Sequence, residues 1–160
     1  GLRSSRGCGA PVPRQAVDDG LKFVMNCRCD DGGFGYTGPS DPALARTATA
    51  LLCLELCGRH GDKAALAGGD WILAHMPNRF GGANFYYGIY YGTQGMFQLG
   101  GNYWPRWAVA MYELMIRNQQ ADGSWPAGEG AEAQAGPCYA TAMAVLSLSV
   151  SYRQLPIYQR

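Results

Sequence analysis

The sequence has almost no net charge: 13 Lys and Arg face 12 Asp and Glu, a formal balance of +1 over 160 residues. That balance offers no basic footprint for a phosphate backbone or an anionic bilayer, so nucleic acid is excluded from the expected partners. Long apolar runs are missing as well. None approaches the ~20 residues needed to cross a membrane, and no membrane span is expected. The opening "GLRSSRGCGAPVPRQ" has no apolar centre and does not read as a signal peptide. A soluble chain is expected; its compartment stays open, with the cytoplasm favoured if no targeting segment has been removed. Histidine is scarce, with 2 residues, His60 and His75, both expected to face solvent. Six cysteines (Cys8, Cys27, Cys29, Cys53, Cys57 and Cys138) lack the dense spacing of a disulfide framework, so free and mostly buried thiols are expected. Cys53 and Cys57, four apart, share one helix face, whereas Cys27 and Cys29 do not, which leaves no converging pairs for tetrahedral zinc. No metal or other cofactor is expected.

Glycine and aromatic residues are abundant: 23 Gly, 10 Tyr, 5 Phe and 4 Trp. The glycines recur at intervals that suit helix ends, and the chain repeats itself. "NCRCDDGGFGY" (26–36) with "ALARTATALLCLEL" (43–56) can be laid on "RNQQADGSW" (117–125) with "PCYATAMAVLSLSV" (137–150). Asp31, Gly32 and Phe34 then match Asp122, Gly123 and Trp125, and Thr47 matches Thr141. A third copy, "YYGTQGMFQLG" (90–100), aligns Thr93 with both threonines, although its preceding turn "NRFGG" has no acidic residue.

Apolar side chains three and four apart, such as Val17, Leu21 and Val24 or Trp104, Trp107, Met111 and Leu114, predict helices. Six are expected, near 14–28, 42–57, 62–76, 84–99, 102–120 and 137–151. Pro42 and Pro137 suit first turns, and Gly58, Gly100 and Gly123 suit stops. The second, fourth and sixth helices are nearly free of charge and should be buried on most sides; the other three carry charge on one face. An all-α fold of three inner/outer α-hairpins follows. Residues 1–13 are expected to be a linker, 14–152 the repeat domain, and 153–160, with Leu155, Pro156, Ile157 and Tyr158, a docking tail.

Gln119, Gly123 and Trp125 reproduce a Q-x-x-x-G-x-W motif, and the chain resembles the terpenoid cyclase and protein prenyltransferase superfamily, with repeats like those of squalene and hopene cyclases. The first copy keeps part of the motif, with Arg28 in place of Gln, then Gly32 and Phe34. The resemblance spans about 14–152 and implies a partial α/α toroid. The family closes its ring with five or six hairpins, so three make about half of one. An exposed apolar flank then implies a partner: self-association, a further part of the same polypeptide, or another protein. The motif residues read as fasteners. A Gln amide can bond to the unpaired groups at helix ends, Gly turns the chain, and an aromatic ring covers the junction. Asp30 and Asp31 read as turn residues of the Asx kind.

The resemblance also says what chemistry to look for. Hopene-type cyclases use a D-x-D-D-T-A acid, and "ALARTA" keeps Thr47 and Ala48 while placing Ala43, Ala45 and Arg46 where carboxylates belong. The zinc set of prenyltransferases, built on D-x-C and a later His, has no counterpart. The related thioester motif G-C-G-E-Q begins at Gly7-Cys8-Gly9 and fails at Ala10 and Pro11. No catalytic residue is therefore assigned.

An aromatic band (Phe85, Tyr86, Tyr87, Tyr90, Tyr91) runs along the fourth helix, with Tyr87, Tyr91 and Gln94 on one line. Tyr86, Tyr87, Tyr90, Tyr91 and Gln94, with Arg46 and Tyr139, are the candidate residues for an apolar small-molecule ligand. Arg46 is expected to pair with Asp41 or to meet an anionic headgroup. The expected function is a non-catalytic toroid segment acting in assembly or apolar-ligand binding. The alternatives are an isoprenoid enzyme whose catalytic groups lie in absent chain or in a partner, and carbohydrate or peptide binding on the aromatic band.

Overall fold

The computed structural model describes residues 1–152, and the expected docking tail lies outside them. The described residues form seven α-helices: α1 (Leu2–Gly7), α2 (Arg14–Asn26), α3 (Leu44–Leu56), α4 (Lys63–Ala74), α5 (Phe85–Leu99), α6 (Tyr103–Arg117) and α7 (Ala131–Leu148). A 3-10 turn over Val150–Tyr152 follows. The only strand-like pairings among them are two isolated bridges, Arg28 with Phe34 and Ala83 with Glu129. The fold is all-α, and none of these helices is long and apolar enough to cross a membrane.

The helices make two layers. α3, α5 and α7 stand side by side in an inner row; α4 covers α3, α6 covers α5, and α4 also touches α6. Glycine lets the inner row close up. A Cβ added to Gly88 would meet Leu44 and Ala45, and one added to Gly95 would come within 3.1 Å of the Leu51 side chain. Positions 88 and 95 advance along α5 as 44 and 51 advance along α3, so these two helices run parallel with their backbones in close approach. A parallel neighbour requires a crossover, and α4 supplies it. The core lies between the layers, with Leu51, Leu54, Ile72, Ile89, Met96, Trp107 and Met111 almost fully buried.

Four features differ from the sequence expectation. Residues 1–13 are not all linker, because Leu2–Gly7 form a helix with no buried residue, and Arg3 reaches across to donate to Leu56 O at 3.1 Å. A short helical stretch from Ala131 precedes the last expected helix, and a break at Gly136 (φ 78°) separates the two, so that Pro137 opens the main part where the sequence placed it. Inner helices are not equally enclosed: α5 buries eleven residues, α7 only Glu132, Ala140, Ala144 and Ser147, because among the described residues no helix lies on its far side. The thiols are all free, but only Cys27 and Cys29 are buried; Cys8, Cys57 and Cys138 are exposed.

Candidate functional site

The repeat shows itself in its hydrogen bonds. Phe34 N donates to Thr47 Oγ1 at 3.0 Å, and Trp125 N donates to Thr141 Oγ1 at 3.1 Å. In each, the aromatic residue that closes the turn is tied to the same threonine of the following inner helix. The third copy has no such turn, and the indole Nε1 of Trp107 donates to Thr93 Oγ1 at 3.0 Å instead. Three threonines thus do one job. Each acidic turn residue closes its own loop: Asp31 Oδ1 accepts from Gly33 N, and Asp122 Oδ1 from Ser124 N, both at 2.9 Å.

Gly32 (φ 93°) and Gly123 (φ 86°) hold the left-handed conformation these turns need. A side chain at Gly32 would also strike the Ala67 backbone, 2.9 Å away. Gln119 Nε2 donates to Gly123 O at 2.8 Å. The amide therefore closes its own turn on the surface and does not bridge to the next helix. Trp125 is buried, and its Nε1 donates to Met115 O at 2.9 Å at the end of α6.

A buried carboxylate that the sequence reading passed over holds the start of α5. Glu132 is 4 % exposed; its Oε1 accepts from Tyr87 N at 2.8 Å and its Oε2 from Tyr86 N at 3.2 Å. First-turn amides have no partner inside their own helix and carry the positive end of its dipole, so a carboxylate suits them. Glu129 Oε1 accepts from Gly82 N at 3.1 Å in the loop that leads into α5. The signal was present in "GEGAEAQAG", where two acids stand among small residues before an inner helix.

A concavity of about 720 Å³ opens beside the first hairpin. Phe23 and Val24 from α2, with Cys27 just past its end, form one wall, and Arg46, Thr49, Ala50 and Cys53 from α3 the other. The segment from His75 to Phe85 and Tyr87 close one end. Phe23 is 56 % exposed, an unusual state for a phenylalanine on a helix face. His75 is exposed, as expected, and also stacks on Trp71 with ring centroids 3.9 Å apart, its Nδ1 2.8 Å from Trp71 O. His60 sits half-exposed, its Nδ1 2.6 Å from Glu55 Oε2.

Two of the seven candidate ligand residues line this groove. Arg46 and Tyr87 line the groove; Tyr86, Tyr90, Tyr91, Gln94 and Tyr139 do not. Arg46 Nη1 bonds Asp41 Oδ2 at 3.0 Å and also contacts the Asp41 backbone oxygen, with its guanidinium 5.9 Å from the Tyr36 ring centroid. Both partners keep contact with water, so the pair adds about 0–1 kcal/mol. Tyr86 is core: it is 1 % exposed and donates to Pro126 O at 2.6 Å. Burial, and secondarily Glu132, push its phenol up to about 12. Tyr91 reaches about 12 through burial and its neighbour Tyr87, whose ring centroid is 4.5 Å away. Tyr90 packs edge-on against Tyr91 at 5.0 Å.

Gln94 is buried with its Oε1 unbonded, and Tyr139 OH approaches Glu132 Oε1 at 3.5 Å. Burial, then Glu132, raises the Tyr139 phenol too. Among the described residues no group of three or more His, Cys, Asp or Glu is placed to hold a metal ion. The chain matches no family model, and no curated protein sequence matches it.

Proposed function

We propose that the chain is a non-catalytic segment of an α/α-toroid repeat of the terpenoid-cyclase kind, and that it acts in assembly through the open ends of its inner row. The observation that carries this reading is where burial stops. α5, flanked on both sides, buries nearly its whole surface, whereas α2 buries none of its residues and α7 leaves Val145 51 % exposed. Apolar side chains left open at both ends of a row of repeats are what a repeat protein covers with a neighbour or a cap. Parallel inner helices joined through outer ones, with the same turn-to-threonine bond in the first and third hairpins, support the toroid reading.

A second reading is apolar-ligand binding, favoured by the groove itself, whose volume suits a small molecule and whose walls carry Phe23, Val24 and Tyr87 beside the single cation Arg46. Light scattering over a range of concentrations, together with binding of the apolar dye anilinonaphthalene sulfonate, tests the proposal. Association, or dye bound at the row ends and displaced by Val145→Arg, is expected. A monomer that binds no dye sinks it.

A further inference from the structure

The repeat shows what the groove is shaped to receive. Each enclosed inner helix sits in a seat made by the next hairpin: α3 lies against α4 and α5, and α5 lies against α6 and α7. α2 and α3 make the same kind of seat, and nothing in the described residues fills it. α6, which has an inner helix beneath it, buries Trp107, Ala108, Met111 and Met115; α2 has no fully buried residue, its Leu21, Val24 and Met25 packing only partly buried against the core. Aligned on Thr47, Thr93 and Thr141, the groove residues Arg46, Ala50 and Cys53 of α3 correspond to Gly92, Met96 and Leu99 of α5 and to Ala140, Ala144 and Ser147 of α7. In α5 and α7 all of these positions are buried; in α3 all three line the groove, and only Ala50 is buried.

The opposite end of the row is complementary. α3 meets α5 through Leu44, Ala45, Leu51 and Leu52, against Gly88 and Gly95. The corresponding residues of α7 are Cys138, Tyr139, Val145 and Leu146, of which Cys138 and Val145 are exposed and the other two half-buried. Among the described residues, α7 is thus an inner helix without a seat, and α2 with α3 is a seat without an inner helix.

Resting on the assembly reading above, we propose that the partner is a second copy of this chain, bound head to tail, with α7 of one copy lying in the groove between α2 and α3 of the next. Continuity with the α3–α5 contact sets the register. Thr49, which corresponds to Gly95, meets Val145 of the neighbouring copy, which corresponds to Leu51. Contact between unlike surfaces either closes into a ring or continues as a filament, according to its rotation.

The test uses the full chain carrying Thr49→Cys and Val145→Cys, oxidised, with the linked peptides identified by mass spectrometry. The unsubstituted chain and Val145→Cys alone serve as controls. The expected result is a disulfide between 49 of one chain and 145 of another, and association of the unsubstituted chain that weakens at least about tenfold in Val145→Arg. Circular dichroism confirms that the exposed substitution leaves the helices intact. Association with a link between two copies of 145 overturns the head-to-tail geometry and leaves the assembly reading standing. A monomer at every concentration, with no 49–145 link, overturns the second copy as partner. The assembly reading then survives only if apolar dye binds that monomer and Val145→Arg releases it.

Discussion

Asp31 joins two elements through one side chain: Oδ1 closes the first turn at Gly33 N, and Oδ2 accepts from Trp71 Nε1 at 3.0 Å on α4. Those bonds, the turn amide first and the indole second, hold its carboxyl below the ordinary Asp range. A folded-state pKa below the unfolded one stabilises the fold above the unfolded value of about 3.9, and that contribution disappears as pH falls through the folded value. Asp31→Asn should therefore flatten the acid side of the stability profile. Urea midpoints taken stepwise from neutral pH downward check this, and an unchanged acid slope would refute it. At the matching position, Thr141→Val leaves the amide of buried Trp125 without its acceptor and should cost about 1–3 kcal/mol in urea unfolding. Thr47→Val should cost a similar amount, since Phe34 N loses the same bond.

Helix by helix, stability depends on how closely each element approaches its neighbours. A Cβ at Gly92 would lie 2.7 Å from the Trp107 ring, which is itself fully buried. Gly92→Ala on α5 should then destabilise by about 1–3 kcal/mol, as overpacking does. Gly20 on α2 has nothing within 4 Å, so Gly20→Ala should stabilise by about 0.5–1 kcal/mol through helix propensity alone. Thermal melts of the two variants should move in opposite directions. α5 also relies on a residue outside it. Glu132→Ala would strip the acceptor from the Tyr86 and Tyr87 amides, and hydrogen exchange at those two should speed up selectively. Uniform exchange across α5 would count against the cap.

For the molecule as a whole, the high phenol values of Tyr86 and Tyr91 set an alkaline limit. Both titrate at about 12 in the folded chain, against about 10 for an exposed phenol. Since the folded values are raised, their stabilisation is complete below about pH 10 and lost as pH rises towards 12. Unfolding should follow alkaline titration in that window, and Tyr86→Phe should reduce the dependence; absorbance at the tyrosinate band during a pH jump reads both. The two open row ends operate at this scale as well. Val145 and Phe23, 51 % and 56 % exposed, stand at those ends, and the assembly proposed above would cover them.

The sequence alone determined the local frame. Periodicity placed α2 to α6 within about three residues of their observed ends, and glycine with proline marked the turns, because helix formation and termination depend on neighbours within a few positions. The repeated threonines were also legible, being identical residues at equivalent places. Tertiary structure decided the rest. Pairing Glu132 with Tyr86 and Tyr87 spans 46 and 45 positions, and nothing local in α5 announces it. The aromatic band likewise divides between core, inner face and groove rim, since a helical stripe fixes which residues share a face but not what that face meets. The charge-free patterns of α3, α5 and α7 predicted equal burial; their places in the row made it unequal, because burial requires a neighbour and, among the described residues, only α5 has another helix of the row on each side.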